Sequence, residues 1–139
     1  MKVSLSITST IRDGEEEQCT TQNANGFLRE CENSLELTYR EAAGEEGLGN
    51  TRTLLRIFSD HLELSRQGDY SCLLVLEVGV KHACDYATPF GALTLETDTA
   101  AFHSSLKADG NGDVTVSYTL STGGVTTAHT LKVQVKALS

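Results

Sequence analysis

The sequence predicts an all-β protein, folded as a single closed or nearly closed antiparallel up-and-down barrel of about eight strands. Apolar and polar residues alternate with a period of two over most of the chain, and turn signals separate these stretches at intervals of roughly 8–12 residues. No segment keeps a helical period over three turns. Strands that follow one another as a meander favour a closed barrel, because closure leaves no edge strand exposed.

Length and charge restrict the protein classes. With 139 residues, the chain has the size of one domain, spanning residues 1–139. Acidic residues outnumber basic residues by 19 to 11, which gives a formal net charge of −8. A nucleic-acid partner is therefore not expected, because a phosphate backbone is bound by clustered lysines and arginines.

No stretch of the sequence indicates a membrane partner. The N-terminal MKVSLSITST alternates and lacks the continuous apolar segment of a signal peptide, and no run approaches transmembrane length. We therefore expect a cytoplasmic protein, in which cysteines 19, 31, 72 and 84 are free thiols. No CxxC pair is present, so neither a zinc site nor a cofactor is expected.

The first half of the chain predicts five strands. Asp13-Gly14 is a hairpin signal between the first two, and Gly26 predicts a bulge or bend within the long, polar second strand. Residues 42–50, rich in glycine with two glutamates, predict a mobile loop that binds no phosphate, because no helix follows it. In the third strand Leu35, Leu37 and Tyr39 share a face, and in the fourth Thr51, Thr53, Leu55 and Ile57 alternate with other residues. In the fifth strand Leu62, Leu64 and Arg66 lie on the predicted inward face.

The central stretch, residues 68–97, predicts three antiparallel strands. The first is the densest apolar run of the chain and ends at Gly79, and the second covers Lys81 to Ala87. Pro89, the only proline, places a turn before the third strand, because proline cannot donate to a ladder.

After the central stretch, shorter alternating segments continue the barrel. They predict a short strand over residues 102–106, another over 114–120 and a last one over 131–135, with a Gly-Gly turn before the last.

Two motifs flank the predicted hairpins of the central stretch, Glu77-x-Gly79-x-Lys81-His82 and Tyr86-x-Thr88-Pro89-Phe90-Gly91. Their order and spacing resemble the signature of the YwiB-like family, a bacterial domain family of unknown function. Arg66-Gln67-Gly68 and Asn50-Thr51-Arg52-Thr53 also fall where that family has similar residues. The resemblance covers essentially the whole chain and implies a calycin-like barrel, the shape shared by lipocalins and fatty-acid-binding proteins. The chain departs from it at Ala87, often acidic in the family, and in its four cysteines.

Asp109-Gly110-Asn111-Gly112-Asp113 matches the first five positions of a calcium loop. Position six is Val114 instead of glycine, and position twelve is Leu120 instead of a bidentate glutamate. Strands, not helices, flank the motif. A hairpin loop without metal is therefore expected.

Glu77, His82, Cys84 and Tyr86 form a second candidate site. A two-residue turn at Gly79-Val80 would place Glu77 opposite His82, where the carboxylate favours a charged imidazole. Cysteine, histidine and glutamate together can perform nucleophilic catalysis, but no oxyanion arrangement accompanies them, so no enzyme is expected. The alternative is a polar cross-strand pair near a hairpin end.

Arg66 follows Leu62 and Leu64 on the predicted inner face. A guanidinium inside a barrel is costly unless it is paired or hydrated. Tyr39 and Tyr118 lie on the apolar faces of their strands and would present hydroxyls to the same cavity, as in the fold-level analogy with fatty-acid-binding barrels. The alternative places Arg66 at the rim, reaching water or a loop carboxylate.

The sequence therefore favours a barrel that binds a small, partly apolar molecule. If that molecule is anionic, Arg66 anchors it, and the other candidate ligand-binding residues are Tyr39, Tyr118, His82, Tyr86 and Glu77. The alternative is a structural or protein-interaction module, because a small eight-stranded barrel can be filled by its own side chains. Both readings are compatible with a homo-oligomer.

Overall fold

The computed structural model describes residues 1–40 and 51–138. Over these residues the chain forms ten strands, rather than the predicted eight or so, and no helix. The strands are β1 (Lys2–Asp13), β2 (Glu16–Glu30), β3 (Leu35–Arg40), β4 (Thr51–Ile57), β5 (His61–Gly68), β6 (Cys72–Glu77), β7 (Lys81–Thr88), β8 (Gly91–Ser104), β9 (Gly112–Thr122) and β10 (Val125–Ala137). The loop predicted at 42–50 lies outside the described residues.

All ten strands belong to one sheet in the order β6-β5-β4-β3-β2-β1-β10-β9-β8-β7. The first and last strands pair antiparallel, from Val3↔Ala137 to Arg12↔Ala128. The edge strands β6 and β7 return to each other, but in the described part of the chain a single isolated bridge, Ser71↔Ala87, joins them. The sheet is thus a nearly closed antiparallel barrel, as predicted, and we call its incomplete closure the β6–β7 seam.

Period-two alternation gives the barrel an apolar half. One end of the barrel holds both termini together with the β2–β3, β4–β5, β6–β7 and β8–β9 turns. Towards this end, the inward side chains are buried and hydrophobic. They include Val3, Leu5, Leu37, Leu55, Leu62, Leu76, Val114, Val116 and Val133. Full burial of each such side chain contributes roughly 1.5–3 kcal/mol relative to exposure. The other half, towards the Pro89 turn, is lined largely by polar groups.

Of the bulge or bend predicted at Gly26, the bulge is not formed. The β1–β2 register runs without irregularity from Lys2↔Phe27 to Asp13↔Glu16. Glycine is needed there for space, because a Cβ on Gly26 would lie 2.5 Å from the Thr38 carbonyl oxygen and 3.0 Å from Leu5 Cδ1.

The bulge of this barrel lies instead in β8, between Thr99 and Ala101. Strand β8 continues through it, so the short strand predicted at 102–106 is the end of a longer one that stops at Ser104. A bulge increases local twist, which bends a long strand around a barrel.

The predicted turns at Asp13-Gly14 and at Pro89 are confirmed. Gly14 adopts a φ of 63°, which favours glycine in the tight turn between β1 and β2. In the Pro89 turn, the Thr88 hydroxyl donates to the Gly91 carbonyl at 2.8 Å and accepts from the Phe90 N–H at 3.1 Å. Within the described ranges, no helix is long and apolar enough to span a membrane.

Candidate functional site

Arg66 lies on the inner face of β5, in a row of paired residues that crosses four strands. Tyr39 of β3 pairs with Thr53 of β4, Thr53 pairs with Arg66, and Arg66 pairs with Cys72 of β6. The Arg66 side chain is half-buried, and the row forms one wall of the polar half of the barrel.

Three titratable side chains from β7, β9 and β10 surround the Arg66 charge. Burial raises the pKa of Tyr86 and of Tyr118, and in both cases the positive charge of Arg66 opposes that rise. Burial lowers the pKa of His129, and the Arg66 charge lowers it further. Both tyrosines are therefore held as neutral phenols and His129 as a neutral imidazole, so the guanidinium is the charged member of this group.

Tyr118 and His129 form the wall opposite Arg66. They are paired residues on β9 and β10. The His129 Nε2 is 2.7 Å from the Thr127 hydroxyl, which fixes the orientation of the ring. Sequence reasoning missed His129, although it lies two residues before Leu131 on the inward face of the last strand.

The β6–β7 seam borders this polar half. Between the Ser71–Ala87 bridge and the β6–β7 turn, the two strands separate around a cavity of about 210 Å³. The cavity is lined by residues 73–75 of β6, residues 82–84 of β7 and Thr97 of β8. Leu73 and Ala83 are exposed, so the cavity reaches the surface.

Where β6 and β7 form no backbone ladder, the Thr97 hydroxyl is within hydrogen-bond distance of a carbonyl oxygen from each strand. It lies 3.3 Å from the Val75 carbonyl oxygen and 3.4 Å from the His82 carbonyl oxygen. Its one proton serves one acceptor at a time. Thr97 is buried on β8, the sheet neighbour of β7, so its hydroxyl connects β6 to the β7–β8 pair.

Both cysteines near the seam are poor nucleophiles at neutral pH. Burial raises the pKa of Cys84, the Asp85 charge adds to the rise, and the Leu73 N–H opposes it. Burial also raises the pKa of Cys72, against the Arg66 charge. The thiolate, which is the reactive form, is thereby disfavoured at both positions.

The two-residue turn at Gly79-Val80, the condition for Glu77 to lie opposite His82 in a ladder, is not formed, although the two side chains do meet. Val78 bridges Thr99 of β8 instead of continuing a β6–β7 ladder, and the Val80 N–H donates to the Glu77 carbonyl at 3.1 Å. The two side chains still approach to 3.2 Å, between His82 Nε2 and Glu77 Oε1. This pair lies at the end of the seam next to the β6–β7 turn. Arg66 and Tyr86 lie at the opposite end, next to the Ser71–Ala87 bridge.

Residues 109–113 form the turn region between β8 and β9. The Asp109 carboxylate accepts the Asn111 N–H at 2.9 Å, and the Asn111 amide oxygen accepts the Ala137 N–H at 3.2 Å. One Asp109 carboxylate oxygen and the Asn111 amide oxygen thus accept hydrogen bonds from backbone N–H groups. No group of three or more His, Cys, Asp or Glu side chains in the described part of the chain is placed to hold a metal.

A larger cleft, of about 540 Å³, lies at the termini end between the β2–β3 turn, the β4–β5 turn and the end of β8. Leu35, Ile57 and Leu106 contribute to its lining together with polar residues such as Asn33 and Ser59. Among the described residues that line it there is no predicted site residue and no buried charged side chain, so the polar half and the seam remain the candidate site.

The family described as "Domain of unknown function (DUF1934)" matches residues 5–134. The fold is similar to the crystal structure of the ywiB protein from Bacillus subtilis, with a TM-score of 0.88 and 22% identity, covering 99% of this chain and 92% of that chain. The predicted resemblance to the YwiB-like family is confirmed, and at this identity the likeness shows the fold alone. No curated protein matches the chain.

Proposed function

The chain belongs to the DUF1934 family, and we propose, from the geometry of its own barrel, that it binds a small, partly apolar, anionic molecule in the polar half of the interior. The observation that supports this proposal is the position of the Arg66 charge, on the inner face of β5 and paired with Cys72, the residue of β6 that directly precedes the lining of the seam cavity. The barrel would then work as lipocalin-like barrels do, by enclosing its ligand.

The groups around Arg66 suit an anion with one negative charge. A guanidinium presents a planar fork of N–H donors that fits a carboxylate in a bidentate manner. Tyr86 and Tyr118 keep their protons, because burial raises the pKa of each, so both phenols can donate to the same anion. His129 stays neutral and adds no second positive charge.

The seam cavity suits the apolar part of such a molecule. Leu74, Val75, Ala83 and Cys84 contribute to its walls. Its volume of about 210 Å³ is below the roughly 300–1,000 Å³ of pockets for drug-sized ligands, so a short chain or a single ring is the matching size. Glu77 and His82 at the far end disfavour a second anionic group there.

The test compares Arg66→Ala with Arg56→Ala, an arginine on the outer face of neighbouring β4 that pairs with acidic residues. Displacement of a fluorescent fatty acid and native mass spectrometry of freshly purified protein measure binding. Arg66→Ala should weaken binding by about 1.5–3 kcal/mol, the scale of a charge-assisted hydrogen bond, while Arg56→Ala leaves it unchanged. Absence of binding by the wild type would contradict the proposal.

The second candidate function is a structural or protein-interaction module. The observation that favours it is the apolar half, where buried leucines and valines already fill the barrel. In that case Arg66 serves folding, and Arg66→Ala should cost about 3–5 kcal/mol of stability by stranding its partner, with no ligand bound by the wild type. A denaturant melt of the same variant separates the two functions.

Binding rather than catalysis is part of the proposal, because the thiols near the site are held protonated by burial. We also propose a cytoplasmic location, where four free thiols are stable, and no nucleic-acid partner, given the net charge of −8.

A further inference from the structure

Arginines on the outer face of β2 to β5 are paired with acids in one row of the sheet. Arg29, Glu36, Arg56 and Glu63 are successive partners across these four strands. The Arg29–Glu36 distance is 3.4 Å, and Arg56 lies 3.8 Å from each of Glu36 and Glu63. Opposite charges thus alternate along the row, as stable cross-strand pairs require.

Four residues further along the same face, the pattern breaks. Arg40 of β3 pairs with Arg52 of β4, and Arg52 pairs with Gln67 of β5. All three side chains are exposed. Within residues 1–40 and 51–138, neither arginine makes an ion pair or a side-chain hydrogen bond. Two like charges directly opposite each other on neighbouring strands destabilise a sheet.

These residues also form a concave surface. Arg40, Arg52 and Gln67, with Thr51, line a cavity of about 220 Å³. Because a water molecule takes roughly 30 Å³, this volume accommodates an anion of several heavy atoms with part of the group attached to it. The Thr51 side chain is buried on the inner face, so the polar side chains of this outer surface are those of Arg40, Arg52 and Gln67.

We propose that Arg40, Arg52 and Gln67 bind the phosphoryl group of a small phosphorylated molecule, or inorganic phosphate itself. Two guanidinium groups match the two negative charges of a phosphate monoester, and each offers parallel N–H donors to its oxygens. The Gln67 amide adds neutral donors. A carboxylate would balance only one of the two arginines. The bound dianion removes the repulsion between Arg40 and Arg52, so binding and stability rise together.

This site is separate from the one proposed inside the barrel. Tyr39 and Thr53 direct their side chains inward next to Arg66, whereas Arg40 and Arg52, their chain neighbours, face outward. An anion at the outer site therefore does not contact Arg66, and either site can be present without the other.

The test is calorimetric titration with inorganic phosphate and with phenyl phosphate at constant ionic strength, beside thermal melting in the same buffers. Arg52→Ala should weaken phosphate binding at least tenfold, and Arg52→Lys should weaken it less, because lysine keeps the charge but loses the fork. Arg56→Ala is the matched control with the same change in net charge, and its binding should stay within twofold of the wild type. Acetate should not raise the melting temperature.

Tighter binding of phenyl phosphate than of inorganic phosphate would assign the site to a phosphorylated molecule, and equal binding would assign it to phosphate itself. Three outcomes would overturn the proposal. They are no heat of binding with the wild type, equal weakening in Arg56→Ala and Arg52→Ala, or equal stabilisation by acetate and phosphate. Without phosphate, Arg52→Ala should melt no lower than the wild type, which checks that the variant is folded.

Discussion

Tyr118 of β9 and His129 of β10 stack inside the barrel, with ring centroids 5.1 Å apart and an angle of 9° between the ring planes. The stack covers the imidazole on one side, and the Thr127 hydroxyl holds its Nε2 at 2.7 Å. This packing partly shields His129 from water, and the Arg66 charge nearby makes a second positive charge still less favourable.

The His129 environment makes stability depend on pH. Burial lowers its pKa in the folded protein, so the unfolded chain binds more protons below its ordinary pKa of about 6.5. The free energy of unfolding should therefore fall as pH drops from about 7 towards 5, and this contribution should be regained as pH rises again. Urea unfolding at the two pH values should show a smaller change for His129→Gln than for the wild type. His103→Gln, at an exposed position, is the control and should behave as the wild type does. An equal acid loss in His129→Gln would contradict the prediction.

Thr97 and Thr99 provide a matched pair of substitutions on one strand. Thr97→Val keeps the shape but removes the donor shared by the Val75 and His82 carbonyls, and should cost about 1–3 kcal/mol. Thr99→Val should be neutral or stabilising, because the buried Thr99 hydroxyl makes no hydrogen bond in the described residues. Denaturant unfolding measures both, and hydrogen exchange at residues 73–75 should accelerate only in Thr97→Val. Similar losses in both variants would mean that the hydroxyl does not hold the seam.

The four cysteines should differ in reactivity. Cys19 is exposed, whereas burial raises the pKa of Cys72 and Cys84 and lowers their thiolate fraction. Iodoacetamide at neutral pH should modify Cys19 first, and the rates at Cys72 and Cys84 should rise steeply with pH. Peptide mapping by mass spectrometry measures each rate. Titration of the unfolded, unreduced protein should find all four thiols. A disulfide, or equal rates at Cys19 and Cys84, would contradict this expectation.

Gly26→Ala should destabilise the barrel by about 1–3 kcal/mol, as overpacking does. The new methyl group would meet the Thr38 carbonyl oxygen at 2.5 Å, and backbone cannot move aside as a flexible side chain can. Gly14→Ala is the comparison, since nothing lies within 4 Å of a Cβ there and only its φ of 63° opposes alanine. Denaturant melts should rank Gly26→Ala as the more destabilising change. The reverse order would indicate that β2 and β3 adjust freely.

The two-residue period of apolar residues predicted which side chains face inward, but it did not predict how the edge strands of the barrel meet. Leu62 and Leu64 predicted the inward direction of Arg66, and the same rule applied to Leu131 would have found His129. The seam could not be predicted, because Gly79 has the signature of an ordinary hairpin turn. Whether the next strands pair there depends on how the whole sheet curves, and Val78 finds Thr99 of β8 instead.

The sequence also could not predict that Gly26 lies too close to a neighbouring backbone to carry a side chain. A glycine within a strand is consistent with a bulge or with a close approach of another backbone. The choice between them depends on Thr38, which is distant in the pattern and adjacent only in the folded sheet. Likewise, the outward row of Arg40, Arg52 and Gln67 becomes a cluster only through the registers of β3, β4 and β5.

Strands that are consecutive in the chain are neighbours in the sheet, except for β6 and β7, which are separated at the seam. The first and last strands, β1 and β10, are also neighbours. The Leu138 N–H donates to the Lys2 carbonyl at 3.1 Å, so the two termini lie side by side. A circular permutant that links them and begins at Lys81 would therefore run through the sheet from one edge strand to the other without a long-range strand ladder. Only isolated contacts across the seam, such as the Ser71↔Ala87 and Val78↔Thr99 bridges, would join distant parts of the described chain. Its relative contact order would be lower than that of the natural connectivity, in which β1 must find β10 before the sheet is complete. Because folding rates rise as contact order falls, the rearranged chain should reach the same barrel faster.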